Sequence, residues 1–137
     1  MMTILLVDDS KIIRMLLKNV LTTFFGSTAT FLEAENGEVA VKKMATSPVD
    51  LMFLDWNMPV MNGEQVVDII RANPTYKNTR IIMATTEGGK EGVLRMLKKG
   101  VNGYLVKPFQ EASILKAVEV LRLRPLVTAP TSSATKE

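Results

Sequence analysis

Four short apolar runs, each followed at once by a polar residue, constrain the fold of this chain more than any other feature. A run of this length that is apolar on both faces is typical of a strand buried in a parallel sheet. The carboxyl ends of parallel strands share one edge of the sheet, and ligands bind there. The runs cover residues 4–7, 51–54, 81–84 and 104–106, and the polar residues behind them are Asp8 with Asp9, Asp55, Thr85 with Thr86, and Lys107. The sequence therefore predicts one site that combines three carboxylates, a hydroxyl and an ammonium.

Segments with helical periodicity separate these runs. In the first segment apolar pairs recur every four residues after Ser10, the predicted N-cap, and Gly26 is the predicted end. A more polar run at 28–34 predicts a further strand at a sheet edge. Further helices are predicted over residues 36–46, 63–72, 90–99 and 111–123. Five alternations of strand and helix predict a doubly wound α/β domain with helices on both faces of the sheet.

Composition narrows the possible functions. The 137 residues suffice for one domain, and no apolar stretch approaches the ~20 residues of a membrane span. The sequence has no cysteine and no histidine, which excludes thiolate and imidazole metal sites, His-based triads and a phosphohistidine carrier. We expect a domain over residues 1–124 and a polar, disordered tail over 125–137. Because Met1-Met2-Thr3 leads directly into the first run, no room is left for a signal peptide, and we expect a cytoplasmic protein.

The net charge of +3 is unevenly distributed. Residues 1–68 carry 5 basic and 9 acidic side chains, a balance of −4, whereas residues 69–137 carry 12 basic and 5 acidic ones, a balance of +7. A basic excess is compatible with a nucleic-acid footprint. The chain has no dense Lys/Arg run and no basic stretch interleaved with aromatic residues, so we interpret the basic half as solvated surface and expect no nucleic acid or membrane partner.

The three carboxylates predict a metal site. Asp8, Asp9 and Asp55 would repel one another at one sheet edge unless a cation neutralised them. Oxygen ligands without nitrogen or sulfur favour Mg²⁺. Each aspartate alone favours a structural role, in which Asp8-Asp9-Ser10 caps the first helix and Asp55 opens a turn. The pairing of two such strand ends favours Mg²⁺.

Asp55 is the candidate nucleophile. It ends an apolar strand and enters a turn that contains Asn57 and Pro59. Carboxylates can form acyl phosphates, and this chemistry needs cations around the phosphoryl oxygens. Lys107 could supply an ammonium and Thr85 a hydroxyl donor. Taken singly, Lys107 is better interpreted as a surface lysine and Thr85 as a residue that satisfies backbone groups.

The motifs occur in a specific order: Val-Asp-Asp-Ser at 7–10, Asp-Trp-Asn-Met-Pro at 55–59, Asn62-Gly63, Thr85, and Tyr-Leu-Val-Lys-Pro-Phe at 104–109. Over residues 3 to 123 the chain thereby resembles the receiver domain of bacterial response regulators, in particular the single-domain chemotaxis (CheY-like) type. The resemblance implies a flavodoxin-like sheet with strand order 2-1-3-4-5. It also implies a phosphorylation-activated switch of two-component signalling.

The resemblance implies a role for each acidic position. Asp55 would accept a phosphoryl group from the phosphohistidine of a partner histidine kinase. Asp9, Asp55 and the backbone carbonyl of Asn57 would bind Mg²⁺ directly, and Asp8 would bind it through water. The protein would not be a conventional enzyme, because its only reactions would be self-phosphorylation from phosphodonors and self-dephosphorylation.

The remaining motif positions would transmit the signal. Thr85 would turn toward the phosphoryl group, Lys107 would pair with it, and Tyr104 would move inward behind the threonine. The Lys107–Pro108 peptide bond would be cis. The output face would consist of the fourth helix, the fifth strand and the fifth helix, with the flagellar motor switch as one possible target.

Two features depart from the chemotaxis pattern. Thr86 stands where a smaller residue is common and would narrow access to the site. The expected output face is basic, which suits either an acidic partner segment or a solvated surface; its charges are Arg95, Lys98, Lys99, Lys116 and Arg122. Asn57 and Glu87 match the chemotaxis type, so we expect self-dephosphorylation within minutes.

Three other functions are compatible with these residues. The chain could be a free-standing receiver of another pathway or a phosphorelay. It could be a small phosphatase with an aspartate nucleophile, although such enzymes of the haloacid-dehalogenase type have Asp-x-Asp where this chain has Asp8-Asp9. It could also be a module that no longer takes up phosphate.

Overall fold

Five strands form one parallel sheet in the computed structural model, which describes residues 2–86 and 90–121. The strands are β1 (Met2–Val7), β2 (Ala29–Ala34), β3 (Leu51–Asp55), β4 (Arg80–Thr85) and β5 (Gly103–Val106). They lie in the order β2-β1-β3-β4-β5. This confirms the order that the resemblance implied, and it places the more polar β2 at an edge.

Five helices connect and cover the strands. They are α1 (Lys11–Phe25), α2 (Gly37–Thr46), α3 (Gly63–Ala72), α4 (Lys90–Lys98) and α5 (Glu111–Val120). Helices α1 and α5 pack on one face of the sheet, and α2, α3 and α4 contribute to the core on the other face. The prediction of a doubly wound α/β domain is therefore confirmed.

Alternate residues of each strand belong to the two opposite faces. In β1, Ile4 and Leu6 pack toward α1 and α5, whereas Leu5 and Val7 pack toward α2 and α3, and all four are buried. Because both faces of the sheet are covered, both must be apolar. This is the physical reason for the continuous apolar runs in the sequence.

Local capping explains where the first elements begin and end. The Ser10 hydroxyl accepts the backbone N–H of Ile13, as its prediction as N-cap of α1 required, and Gly26 ends the helix with a φ of 61°. The predicted start of β2 at Thr28 is one residue early. Thr28 ends a short 3₁₀ turn in which its hydroxyl donates to the Phe25 carbonyl oxygen at 2.6 Å, and β2 begins at the following residue.

The last predicted boundaries differ slightly from the structure. α4 ends at Lys98, one residue before its predicted end, and Gly100 has a φ of 106° that favours glycine. α5 ends at Val120, and the predicted helix end at 123 and the tail at 125–137 lie outside the described residues. None of the helices in the described ranges has the length and hydropathy needed to cross a membrane.

Candidate phosphorylation and metal site

The carboxyl edge of the sheet brings the sequence-predicted residues together. Asp8 follows the end of β1, Asp55 is the last residue of β3 and Thr85 is the last residue of β4. All three are almost completely buried, with exposed fractions of 1%, 4% and 2%, whereas Asp9 is exposed. The site is therefore a deep acidic pocket with one acidic residue at its mouth.

The three carboxylates lie close enough to share one ion. Each of Asp8, Asp9 and Asp55 offers an oxygen, and these oxygens all lie within 4.8 Å of one another. Two backbone groups hold the buried pair: the N–H of Ser10 donates to Asp8 Oδ1 at 2.8 Å, and the N–H of Asn57 points at Asp55 Oδ1 at 3.4 Å. Asn57 itself is exposed at the rim.

Lys107 bridges the two buried carboxylates. Its Nζ lies 3.0 Å from Asp8 Oδ2 and 3.2 Å from Asp55 Oδ1, and its side chain is 17% exposed. The backbone N–H of Lys107 donates to the Thr85 carbonyl oxygen at 2.7 Å, which anchors the start of the loop behind β5. The Lys107–Pro108 peptide bond is cis, as the resemblance implied.

The pocket remains electronegative despite this lysine. Burial raises the pKa of Asp55, the charge of Asp8 raises it further, and Lys107 and the Asn57 N–H offset only part of the effect. Burial alone would lower the pKa of Lys107, but its contacts with Asp8 and Asp55 outweigh burial and raise it. One ammonium thus faces three carboxylates, and the uncompensated charge favours a bound cation.

The ligand atoms of the pocket are suited to Mg²⁺. Asp8 Oδ2 is buried, and its contact with the lysine is ionic: no donor among the described residues makes a well-aligned hydrogen bond to it. One ammonium shared by two buried carboxylates compensates them only in part, and a hydrated cation would add to the compensation. The ligands are hard oxygens, and the chain contains neither histidine nor cysteine.

A tight turn behind β3 positions Asp55. The N–H of Trp56 donates to the Ala84 carbonyl oxygen at 2.9 Å, and the N–H of Gly63 donates to the Trp56 carbonyl oxygen at 3.0 Å. A Cβ at Gly63 would lie 2.5 Å from the Asp55 carbonyl oxygen, so only glycine fits there. Trp56 is partly buried against the core and directly follows Asp55, so it lies beside the candidate site.

Tyr104 lies apart from this pocket. Its side chain is 44% exposed on β5, beside a cavity of about 440 Å³ whose lining includes Val106, Lys116 and Val120. The structure therefore places Tyr104 on the surface between β5 and α5. Glu87 lies outside the described residues.

Sequence reasoning missed Arg14. Its guanidinium donates to the Asp8 carbonyl oxygen and to Glu33 at the side of the pocket. The sequence does contain a signal for this role. Arg14 is a charged residue three and seven positions before Leu17 and Leu21, which places it on the same face of α1 as these two buried leucines.

The fold and the site together define a class, a flavodoxin-like α/β domain with an acidic pocket at the carboxyl edge of its sheet. The sequence matches the response regulator receiver domain over residues 4–119. It is 43% identical over 121 residues to the chemotaxis protein CheY1 of Helicobacter pylori, covering 88% of this chain and 96% of that relative. The chain belongs to the response regulator receiver domain family.

Solved structures show the same likeness. The chemotaxis response regulator CheY4 of Vibrio cholerae is similar with a TM-score of 0.80 and 34% identity, covering 88% of this chain and 98% of that one. The CheX-CheY-BeF3-Mg+2 complex from Borrelia burgdorferi is similar with a TM-score of 0.79 and 29% identity, covering 90% of each chain.

Proposed function

We propose that this chain is a phosphorylation-activated switch of two-component signalling, of the chemotaxis type, with Asp55 as the phosphoacceptor. The observation that carries the proposal is the buried contact of Lys107 with Asp8 and Asp55, at 3.0 and 3.2 Å, in a pocket that still has excess negative charge. Such a pocket provides a nucleophile and a fixed cation, and it favours a divalent ion.

The reaction would transfer a phosphoryl group from a histidine nitrogen of the kinase to a carboxylate oxygen of Asp55. An Asp55 carboxylate oxygen forms a bond to phosphorus while the P–N bond to the imidazole of a histidine kinase breaks. The imidazole nitrogen keeps the electron pair and takes a proton from solvent. Later a water oxygen attacks phosphorus, the bond to Asp55 breaks, and carboxylate and inorganic phosphate are released.

The residues of the pocket would have different roles in this reaction. Asp9, Asp55 and the carbonyl oxygen of Asn57 would hold Mg²⁺, with Asp8 acting through a water molecule. The bound ion would neutralise charge on the phosphoryl oxygens, which an anionic nucleophile otherwise repels. Lys107 would exchange its contact with Asp55 for one with the phosphoryl group.

Phosphorylation would act on the rest of the domain through charge. It adds about −1.5 to −2 charges at one point, and this charge attracts Lys107 and the Thr85 hydroxyl. A shift from 1:99 to 99:1 requires about 5.5 kcal/mol, which a few charge-assisted hydrogen bonds of about 1.5–3 kcal/mol can supply. The responding surface would be α4, β5 and α5, with exposed Tyr104 as the switch residue.

Partners follow from this chemistry and from the relatives. The phosphodonor would be a histidine kinase in the cytoplasm, and the target a protein that binds the α4-β5-α5 surface, with the flagellar motor switch as the candidate that the chemotaxis relatives suggest. Asn57 and Glu87 match the chemotaxis type, so we expect a phosphoryl lifetime of minutes.

A titration followed by Trp56 emission tests the proposal. Mg²⁺ should change the emission saturably, and a small acyl phosphate added afterwards should change it again, because Trp56 adjoins the phosphoacceptor. Asp55→Asn should abolish the second change. Asp50→Asn, which alters an exposed aspartate just before β3, at the opposite end of that strand from Asp55, is the matched control and should respond like the parent protein.

Two outcomes would contradict the proposal. A folded protein whose Trp56 emission responds to neither Mg²⁺ nor phosphodonor would be a module that no longer takes up phosphate. Steady turnover of an added phosphomonoester would identify an aspartate phosphatase, whereas we expect none.

A further inference from the structure

Arg14 is a charged residue on the inward face of α1. Its side chain is 14% exposed, and a cation that is mostly buried must be compensated by partners. Its Nε donates to Glu33 Oε1 at 2.8 Å, and its Nη1 donates to the Asp8 carbonyl oxygen at 2.5 Å. One side chain of α1 thus joins β2 to the turn behind β1.

The backbone of Glu33, the residue that supplies the partner carboxylate, is anchored in turn. Glu33 lies on β2, and its backbone carbonyl oxygen accepts a hydrogen bond from Lys43 Nζ of α2 at 2.6 Å. Glu33 neutralises the charge of Arg14 beside a pocket that needs to attract a cation. The guanidinium can therefore donate to the pocket backbone with less repulsion of a metal ion.

The contact with the Asp8 carbonyl has a geometric consequence. Other contacts already hold Asp8, since its N–H donates to the Ala34 carbonyl oxygen at 3.1 Å and its Oδ1 accepts the N–H of Ser10. The carbonyl oxygen belongs to the planar peptide unit that leads into Asp9. Fixing this oxygen fixes the orientation of the Asp8–Asp9 peptide and so the direction in which the exposed Asp9 leaves the backbone.

We infer that Arg14 is a positioning residue of the divalent-cation site: with Glu33 as its counter-charge, it orients the Asp8–Asp9 peptide so that both carboxylates converge with Asp55 on one ion. The inference rests on the proposed function. Residues that orient ligands from behind typically change metal affinity by about 10- to 100-fold when they are removed.

A charge effect and a positioning effect of Arg14 predict opposite changes in Mg²⁺ affinity when Arg14 is removed. A binding experiment can therefore distinguish them. If Arg14 acted only as a nearby positive charge, its removal would strengthen Mg²⁺ binding. If it orients the acidic turn, its removal weakens binding. The experiment is a Mg²⁺ titration of the full chain followed by Trp56 emission, without phosphodonor.

We expect Arg14→Met to raise the Mg²⁺ dissociation constant about tenfold. Arg14→Lys keeps the charge and loses the two-partner geometry, so an intermediate increase is expected. Glu33→Gln should weaken Mg²⁺ binding less than Arg14→Met. The matched control is Arg80→Met, which removes an arginine bonded to the Leu121 carbonyl oxygen and should change affinity by less than about twofold.

An Arg14→Met protein that binds Mg²⁺ as tightly as the parent, or more tightly, overturns the inference. If this variant does not fold, parental affinity in Arg14→Lys overturns it equally. A folded parent protein without any Mg²⁺ response would refute the proposed function, whereas a normal parent response with unaffected Arg14 variants would refute the role of Arg14 alone.

Discussion

Val60 has a backbone conformation that its side chain opposes. Its φ is 70°, and the N–H of Met61 donates to the Pro59 carbonyl oxygen at 2.7 Å, which makes Val60 the centre of a strained γ-turn. Its side chain is 73% exposed and gains little from packing. This strain lies in the loop between Asp55 and α3, at the candidate site.

We predict that Val60→Gly stabilises the protein by about 1 kcal/mol, because relief of the strain exceeds the added entropy of the unfolded chain. Chemical denaturation measures this change. Val60→Ala keeps a Cβ and most of the strain, so it should gain much less. A Val60→Gly variant that is less stable than the parent would show that the turn is not strained.

Helix α4 combines limited apolar packing with ion pairs to its neighbour α3. Among its described side chains only Val93 and Met96 are buried, whereas Leu94 and Leu97 remain exposed. Ion pairs join it to α3 instead: Arg95 to Glu64 at 2.5 Å, and Lys99, just past its end, to Glu64 at 3.3 Å and to Asp68 at 2.9 Å. The hydrogen bonds to Asp68 and Glu64 raise the pKa of Lys99.

The double substitution Glu64→Gln with Asp68→Asn should therefore loosen α4. We expect its backbone amides to exchange hydrogen about threefold faster in the unphosphorylated protein, and high salt should have a similar effect on the parent. The control is Glu35→Gln with Glu38→Gln, which removes two exposed charges at the start of α2. Exchange in α4 that responds neither to the substitutions nor to salt would mean that apolar packing alone holds the helix.

The stability of the whole domain should depend on the ionisation of Asp55. Its folded-state pKa is raised above the ordinary value of 3.8, first by burial and then by Asp8. The folded state therefore binds more protons than the unfolded state in this range, and stability falls as the pH rises through the folded pKa. At neutral pH the buried charge of Asp55 therefore lowers the free energy of unfolding of the domain.

We predict that Asp55→Asn raises the melting temperature at neutral pH without divalent cations, and that this gain disappears near about pH 4. Lys107 keeps its contact with Asp8 in the variant. Mg²⁺ should stabilise the parent at neutral pH and have little effect on Asp55→Asn. Thermal unfolding over a pH series tests this, and a variant that melts below the parent at neutral pH would contradict it.

Local patterns in the amino-acid sequence specify the strands and helices of the domain and the residues at their ends. A strand that is buried on both faces of the sheet has a continuous apolar run in its sequence. Because the strands are parallel, the residues that end or follow these runs, such as Asp55 and Lys107, all lie at the carboxyl edge of the sheet. These are local patterns. The strand order came from the resemblance of ordered motifs to a family, because apolar runs of similar length do not reveal which neighbour each strand pairs with.

The side-chain contacts between distant residues, in contrast, are visible only in the folded domain. Arg14 pairs with a residue 19 positions away and Lys99 with one 31 positions away, and neither pairing leaves a periodic trace in the sequence. The same holds for the ammonium of Lys107 between two carboxylates and for the positive φ of Val60. These features depend on how the crossovers place whole elements beside one another, and this packing minimises the free energy of the entire chain rather than that of any one segment.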